Sequence, residues 1–175
     1  MNNQLITIGY SSLANRVEKI CLPPAREDVE ILIAVQGGTA QDLQREDVRI
    51  LYLDSIGAAK SRNKILAEAN GRILFFGDDD MKWIQEGVEE VMHHFSCNDD
   101  VDLVLGQSID ENSNLRKRYF RNRKRLSRFN SAKAATYEIA IRTESFRRKE
   151  IAFDENFGAG TANYLGDEYI FIANA

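Results

Sequence analysis

Three consecutive carboxylates, Asp78, Asp79 and Asp80, follow directly on the apolar run Ile73 to Phe76 and Gly77. Held together in a fold they repel one another, so a chain that keeps them offers them to a cation or to hydrogen-bond donors. Their hard oxygens suit Mg²⁺ or Mn²⁺, ions that commonly bridge a carboxylate to the phosphates of a nucleotide. A solvated acidic turn capping a helix that starts near Lys82 is the competing reading of the same triplet. A second acidic pair, Asp167-Glu168, follows Gly166 and opens an expected helix, where carboxylates are also favourable simply as N-terminal charges.

These groups need elements that carry them to one place. Ile73 to Phe76 reads as a strand buried on both faces, as in the middle of a parallel sheet. Upstream, Leu5 to Ile8, Val29 to Val35 and Val48 to Leu53 read as three further strands. Gly9-Tyr10-Ser11-Ser12 is expected to turn the chain into a helix carrying Leu13, Val17 and Ile20, which Pro23-Pro24 ends. A helix with Ile65, Leu66 and Ala69 is closed by Gly71 as its C-cap, and a stronger amphipathic helix carries Ile84, Val88, Val91 and Phe95. Asp102 to Gln107 and Ala134 to Arg142 are the last predicted strands, with a short helix over Thr143 to Lys149. This alternation is the grammar of an α/β sandwich around a mostly parallel sheet, in which ligands bind at the carboxyl ends of the strands. Those ends are Tyr10-Ser11, Gln36-Gly37, Asp54-Ser55 and Asp78 to Asp80.

The whole chain sets bounds. Its 175 residues suit a single domain, and 43% hydrophobic with 29% charged residues is ordinary for a soluble globular protein. The formal charge of −4 argues against a general polyanion binder, and nucleic acid is not expected as a partner. No stretch approaches the length of a membrane span and the amino terminus lacks a leader pattern, so a cytoplasmic location is expected. Cys21 and Cys97 belong to no metal-spacing motif and read as reduced, partly buried thiols. His93-His94, at the end of the amphipathic helix, has no nearby residue to complete a metal site, and Trp83 reads as packing at a helix start.

In this order the pieces resemble the GT-A nucleotide-sugar domain of the family 2 glycosyltransferases. The matching motifs are Gly57 to Asn63 for Gly-x-x-x-x-Arg-Asn, Asp78-Asp79-Asp80 for Asp-x-Asp, and Phe153 to Gly158 followed by Gly166-Asp167-Glu168 for the acidic motif, its acids in swapped order. The resemblance covers nearly the whole chain. It implies a Rossmann-like α/β/α GT-A fold over 1–175, with 1–107 as the nucleotide-binding half and 108–175 as an acceptor-side half that is incomplete. It implies inverting transfer from a nucleoside-diphosphate sugar, with UDP-sugar favoured, to a polysaccharide or lipid-linked acceptor. Asp80 and Asp78 would hold Mn²⁺ or Mg²⁺. Ser11, Gln36, Arg62, Asp78 and Asp79 would bind the nucleotide, and Glu168, with Asp167 as competitor, would be the general base. Gln36 stands where the family carries an Asp that reads the base, and no His follows His94. A non-catalytic nucleotide-binding module, or a truncated inactive remnant, is the alternative function. Arg62 reads either as a nucleotide contact at a helix start or as a surface ion pair.

One segment stands apart. Arg116-Lys117-Arg118, Arg121, Arg123-Lys124-Arg125 and Arg128 lie in a stretch without acids. Read as a helix, residues 115–129 place Leu115, Tyr119, Leu126 and Phe129 on one face, a pattern suited to peripheral contact at the inner face of a membrane. A mobile charged loop over the active site is the alternative.

Overall fold

The computed structural model describes residues 6–41, 43–132 and 134–175. Six strands form one sheet: β1 (Ile6–Leu13), β2 (Val29–Gln36), β3 (Val48–Leu53), β4 (Ile73–Asp78), β5 (Leu103–Leu105) and β6 (Ile139–Arg142). They lie in the order β3-β2-β1-β4-β6-β5, with β1 to β4 parallel and β6 antiparallel to both β4 and β5. The helices are α1 (Ala58–Glu68), α2 (Gln85–Cys97), α3 (Thr143–Arg148) and α4 (Asp167–Ala173). This is the α/β/α sandwich with a mostly parallel sheet that the sequence predicts.

Because successive strand residues point to opposite faces, the sheet builds two cores. Leu74 and Phe76 of β4 join α1, α3 and α4 through Ile65, Leu66, Phe146 and Phe171. Ile73 and Phe75 face the other way, onto Val88 and Phe95 of α2 and Val17 of a 3₁₀ turn at Ala14–Lys19. Val29–Gln36 is buried throughout, as its unbroken aliphatic run requires of a central strand. No helix among the described residues is long and apolar enough to cross a membrane.

Several local expectations are corrected. Leu5 of the first predicted strand lies outside the described residues, and that strand runs on through Gly9-Tyr10-Ser11-Ser12 instead of turning there. At Gly9 the residue is small because α1 presses on it: a Cβ there would lie 2.2 Å from Ile65 Cγ2. The helix expected after them is only the 3₁₀ turn. Helix α1 is capped at Ala69, and Gly71 serves a close approach rather than a left-handed cap. A Cβ there would lie 2.3 Å from the Thr7 backbone nitrogen, an atom fixed within β1. Gly71→Ala is therefore expected to destabilise the fold by about 3 kcal/mol, the upper end of ordinary overpacking. Urea unfolding midpoints measure it. The last two strands are shorter than predicted; β6 starts late because the Glu138 carboxylate accepts the Ala135 N–H (3.1 Å) and closes a 3₁₀ turn at Thr136–Glu138 ahead of it.

The largest correction concerns residues 115–129, which form no helix. Tyr119, assigned to an apolar face, instead donates its hydroxyl to Glu138 (2.5 Å), and Lys117 pairs with the same carboxylate (2.5 Å). Of the four residues assigned to that face, Leu126 alone packs against a core among the described residues. Polar contacts tie Lys117 and Tyr119, near the start of the segment, to the 3₁₀ turn ahead of β6.

Candidate functional site

The parallel strands deliver Ser11, Gln36 and Asp78 to their carboxyl ends, with Ser11 directly opposite Asp78 in the β1–β4 register. Gln36 is buried, at 6% exposure, and its amide is fully engaged on the donor side. Its Nε2 donates to Ser11 Oγ (3.2 Å) and Ser61 Oγ (3.1 Å), and its Oε1 accepts from the Gly57 N–H (2.7 Å). The side chain thus locks the start of α1 to the ends of β1 and β2. Ser61, which also touches Ser11, is a site residue that its sequence context did not mark. The neighbouring Ala58 N–H is taken by the Ala159 carbonyl (3.0 Å). The N-cap amide of Gly57 and the first amide of α1, at Ala58, are thus satisfied within the protein.

The three aspartates after β4 have separate surroundings. Asp79 is buried: Ser12 Oγ donates to its Oδ2 (2.9 Å), and Arg16 Nη2 meets its Oδ1 (2.5 Å). It ties the 3₁₀ turn to the end of β4. Asp80 is exposed, with no bonded partner among the described residues. Asp78 is half-buried. Burial pushes its carboxyl above the usual range, with Asp80, Glu168 and Asp79 adding to the rise and Arg62 opposing it.

Arg62 is the hub, and it is buried rather than a surface ion pair. Its Nη1 donates to Asp167 Oδ2 and lies 3.6 Å from Glu168 Oε1, while its Nη2 is 3.7 Å from Asp78 Oδ1. One guanidinium therefore gathers the end of β4 and the first turn of α4. Its neighbour Asn63 bonds both the N–H and the carbonyl of Phe153 (2.8 and 3.0 Å), and Phe153 stacks on Phe171 with ring centroids 3.9 Å apart. The adjacent Arg-Asn pair is thus a double latch: one residue fixes α4, the other fixes the extended segment leading towards it.

Asp167 and Glu168 differ sharply in setting. Asp167 is 3% exposed and lies beneath Gly158, where a Cβ would come within 2.7 Å of its Oδ2. Burial pushes its carboxyl up to about 6, the adjoining Glu168 adds to the rise, and Arg62 opposes it. Glu168 keeps 24% of its side-chain surface exposed and accepts a hydrogen bond from Thr136 Oγ1 (2.7 Å). Burial raises its carboxyl, but the Thr136 hydroxyl, Asp167 and Arg62 together hold it below the usual range. Thr136 is the second residue that sequence reasoning missed, since a buried threonine before a strand looks like any other. Between about pH 4 and 6, folded protein keeps at Asp167 a proton that the unfolded chain releases near 3.8, so stability falls as pH rises through that window. Asp167→Asn is expected to remove this slope, read from urea midpoints at either end of the window. The opposite contribution of Glu168 lies at lower pH.

Arg62 therefore gathers Asp78, Asp167 and Glu168, and Asp80 lies near enough to Asp78 to help raise its carboxyl. Among the described residues no three His, Cys, Asp or Glu side chains converge as a metal cage. Two carboxylates at a strand end nevertheless fit a divalent ion of the Mg²⁺ type, which ordinarily takes one or two protein carboxylates and completes its shell with phosphate oxygens and water. Asp80, exposed and unbonded among the described residues, and Asp78 are the oxygens available.

Known structures share this architecture. The chain superposes on S. aureus TarS 1–349 in complex with UDP-GlcNAc with a TM-score of 0.72 at 17% identity, over 98% of this chain and 53% of that one. For the complex of the same protein with UDP the values are 0.69, 16%, 98% and 54%. A mannosyltransferase, PcManGT from Pyrobaculum calidifontis in complex with GDP-Man and Mn²⁺, gives 0.60 at 15% identity, over 94% of this chain and 49% of that one. The chain spans about half the length of these structures. No curated protein matches it significantly in sequence. The fold is that of the GT-A glycosyltransferases. The sequence matches Glycosyl transferase family 2 over residues 10–162, a span that holds Ser11, Gln36, Arg62 and Asp78 to Asp80 and stops just short of Asp167 and Glu168. With most of its length inside that match, the chain belongs to glycosyl transferase family 2.

Proposed function

We propose that the protein is an inverting glycosyltransferase that moves a sugar from a nucleoside-diphosphate sugar, with a UDP-sugar as the favoured donor, to a polysaccharide or lipid-linked acceptor. The observation that carries this reading is Arg62, whose guanidinium brings Asp78 at a strand end and Glu168 at a helix start together. Family membership and the nucleotides named for the similar structures support the donor class.

Each side chain then has a task. Asp78 and Asp80 would hold Mn²⁺ or Mg²⁺ against the donor diphosphate, and the bound ion would stabilise the negative charge that grows on the leaving group. Ser11, opposite Asp78, borders the nucleotide. Gln36 and Asp79, whose polar atoms are engaged within the protein, shape that pocket by fixing α1 and the 3₁₀ turn. Arg62 offsets the carboxylates' mutual repulsion and holds Asp167 in place. Glu168 is the base, because it is the more exposed member of its pair and its carboxyl is held ionised. Its carboxylate takes the proton of the acceptor hydroxyl as that oxygen attacks the anomeric carbon, and the bond from that carbon to the β-phosphate oxygen breaks on the opposite face. Asp167 is a positioning residue.

A cytoplasmic location at the inner face of a membrane belongs to the same reading. Transfer itself is tested by incubating the purified chain with UDP-sugars and Mn²⁺ and measuring UDP release, with and without glycan acceptors. Release that EDTA stops supports the reading; nucleotide binding without any release would make the chain a binding module.

A further inference from the structure

Between Glu111 and Glu138 the chain has no acid and nine of its 23 lysines and arginines, while its other 14 cations face 27 acids. Some of the nine are engaged. Lys117 pairs with Glu138, Arg123 with Glu90, Arg116 lies over the Tyr137 ring and Lys124 over the Phe120 ring. Arg118, Arg121, Arg125 and Arg128 are exposed, and no described carboxylate lies within ion-pair distance of them. An excess of acids elsewhere on the molecule leaves this one surface strongly positive.

Apolar groups share the surface. Phe129 is 99% exposed, and Leu115 and Phe120 about half exposed. A soluble polyanion would satisfy the arginines but leave the phenylalanines in water, whereas an anionic bilayer interface takes both: phosphates for the cations, the acyl boundary for the rings. The surface is also held in place. Glu138 accepts from Lys117, Tyr119 and Ser108, and the Tyr169 hydroxyl donates to the Arg128 carbonyl (3.1 Å). Tyr169 follows Glu168 in α4, and Glu138 lies two residues after Thr136, which bonds Glu168. The surface therefore borders the candidate base.

We propose that residues 115–129 are a docking surface for an anionic lipid membrane, with Arg118, Arg121, Arg125 and Arg128 on headgroup phosphates and Phe120 and Phe129 entering the interface. This deepens the transferase reading and rests on it in one respect: a membrane held here presents a lipid-linked acceptor beside Glu168.

The test is co-sedimentation of the full chain with phosphatidylcholine vesicles, with and without phosphatidylglycerol. The expected result is binding to the anionic vesicles alone, weakened by salt. Arg121→Ala and Arg125→Ala should each lower the partition coefficient about fivefold, the equivalent of about 1 kcal/mol per cation. Phe129→Ser should lower it as well, and all three positions are exposed, so circular dichroism should be unchanged. Absence of binding to anionic vesicles overturns the proposal. So does binding that Phe129→Ser leaves intact and soluble polyphosphate abolishes, which would make this a site for a soluble polyanion. UDP release is measured separately, so docking without turnover would count against the transferase reading alone, and turnover without docking against this proposal alone.

Discussion

Glu168→Gln is expected to lower the rate of sugar transfer by about 10²- to 10⁴-fold, the usual contribution of a positioned general base, while leaving nucleotide binding unchanged. The amide is nearly isosteric and can still accept from Thr136, so the fold has no reason to respond. Only the ability to take a proton from the acceptor is lost. The paired measurement is UDP release under saturating donor, together with the affinity for UDP. If Asp167 were the base, Glu168→Gln would retain most of the activity. The geometry argues otherwise, because Asp167 is sealed beneath Gly158 and bound to Arg62.

Arg62→Leu is expected to destabilise the protein by about 3–5 kcal/mol, since it strands Asp167 as a buried carboxylate without its partner. The change also removes the guanidinium from over the Phe153 ring, 5.5 Å from its centroid, and loosens α4 just where Glu168 sits. Nucleotide binding and turnover should fall together in whatever folded fraction remains. Replacing both partners, Arg62→Leu with Asp167→Leu, is expected to recover much of the stability, because an apolar pair leaves no uncompensated charge. It should recover no activity, because nothing then steadies Asp78 and Glu168. Urea titrations of the single and double variants separate the two effects.

The two variants concern residues that were legible in the sequence to different degrees. The strand ending at Asp78 could be read directly, because a short aliphatic run that stops abruptly at charge is, in a globular chain, most simply a buried strand reaching the surface. The acidic pair at the start of α4 was legible for a similar reason, with Gly166 marking the helix start. Arg62 was harder. Its buried partner is 105 residues away, and nothing local distinguishes a buried arginine on a helix from an exposed one. Gly9 and Gly71 were misread because a glycine needed for close packing carries the same letter as a glycine needed for a turn. The segment 115–129 was misread as a helix because four apolar residues happened to share a helical face. In the fold, Tyr119 and Lys117 satisfy Glu138 instead, a buried carboxylate whose demand for donors outweighs the propensity of an exposed stretch. Thr136 and Ser61 act through hydrogen bonds across the fold, which no spacing rule reveals.

Asp78 and Asp80 presenting a divalent ion to a nucleoside diphosphate is the central claim. Calorimetric titration of the purified chain with UDP, in the presence and absence of Mn²⁺, measures this directly, with Asp80→Ala as the comparison. Asp80 is exposed and has no bonded partner among the described residues, so its loss should leave folding untouched. The expected result is UDP binding that requires Mn²⁺ and disappears in Asp80→Ala. Binding of equal strength with and without the ion, or unchanged in the variant, would contradict it.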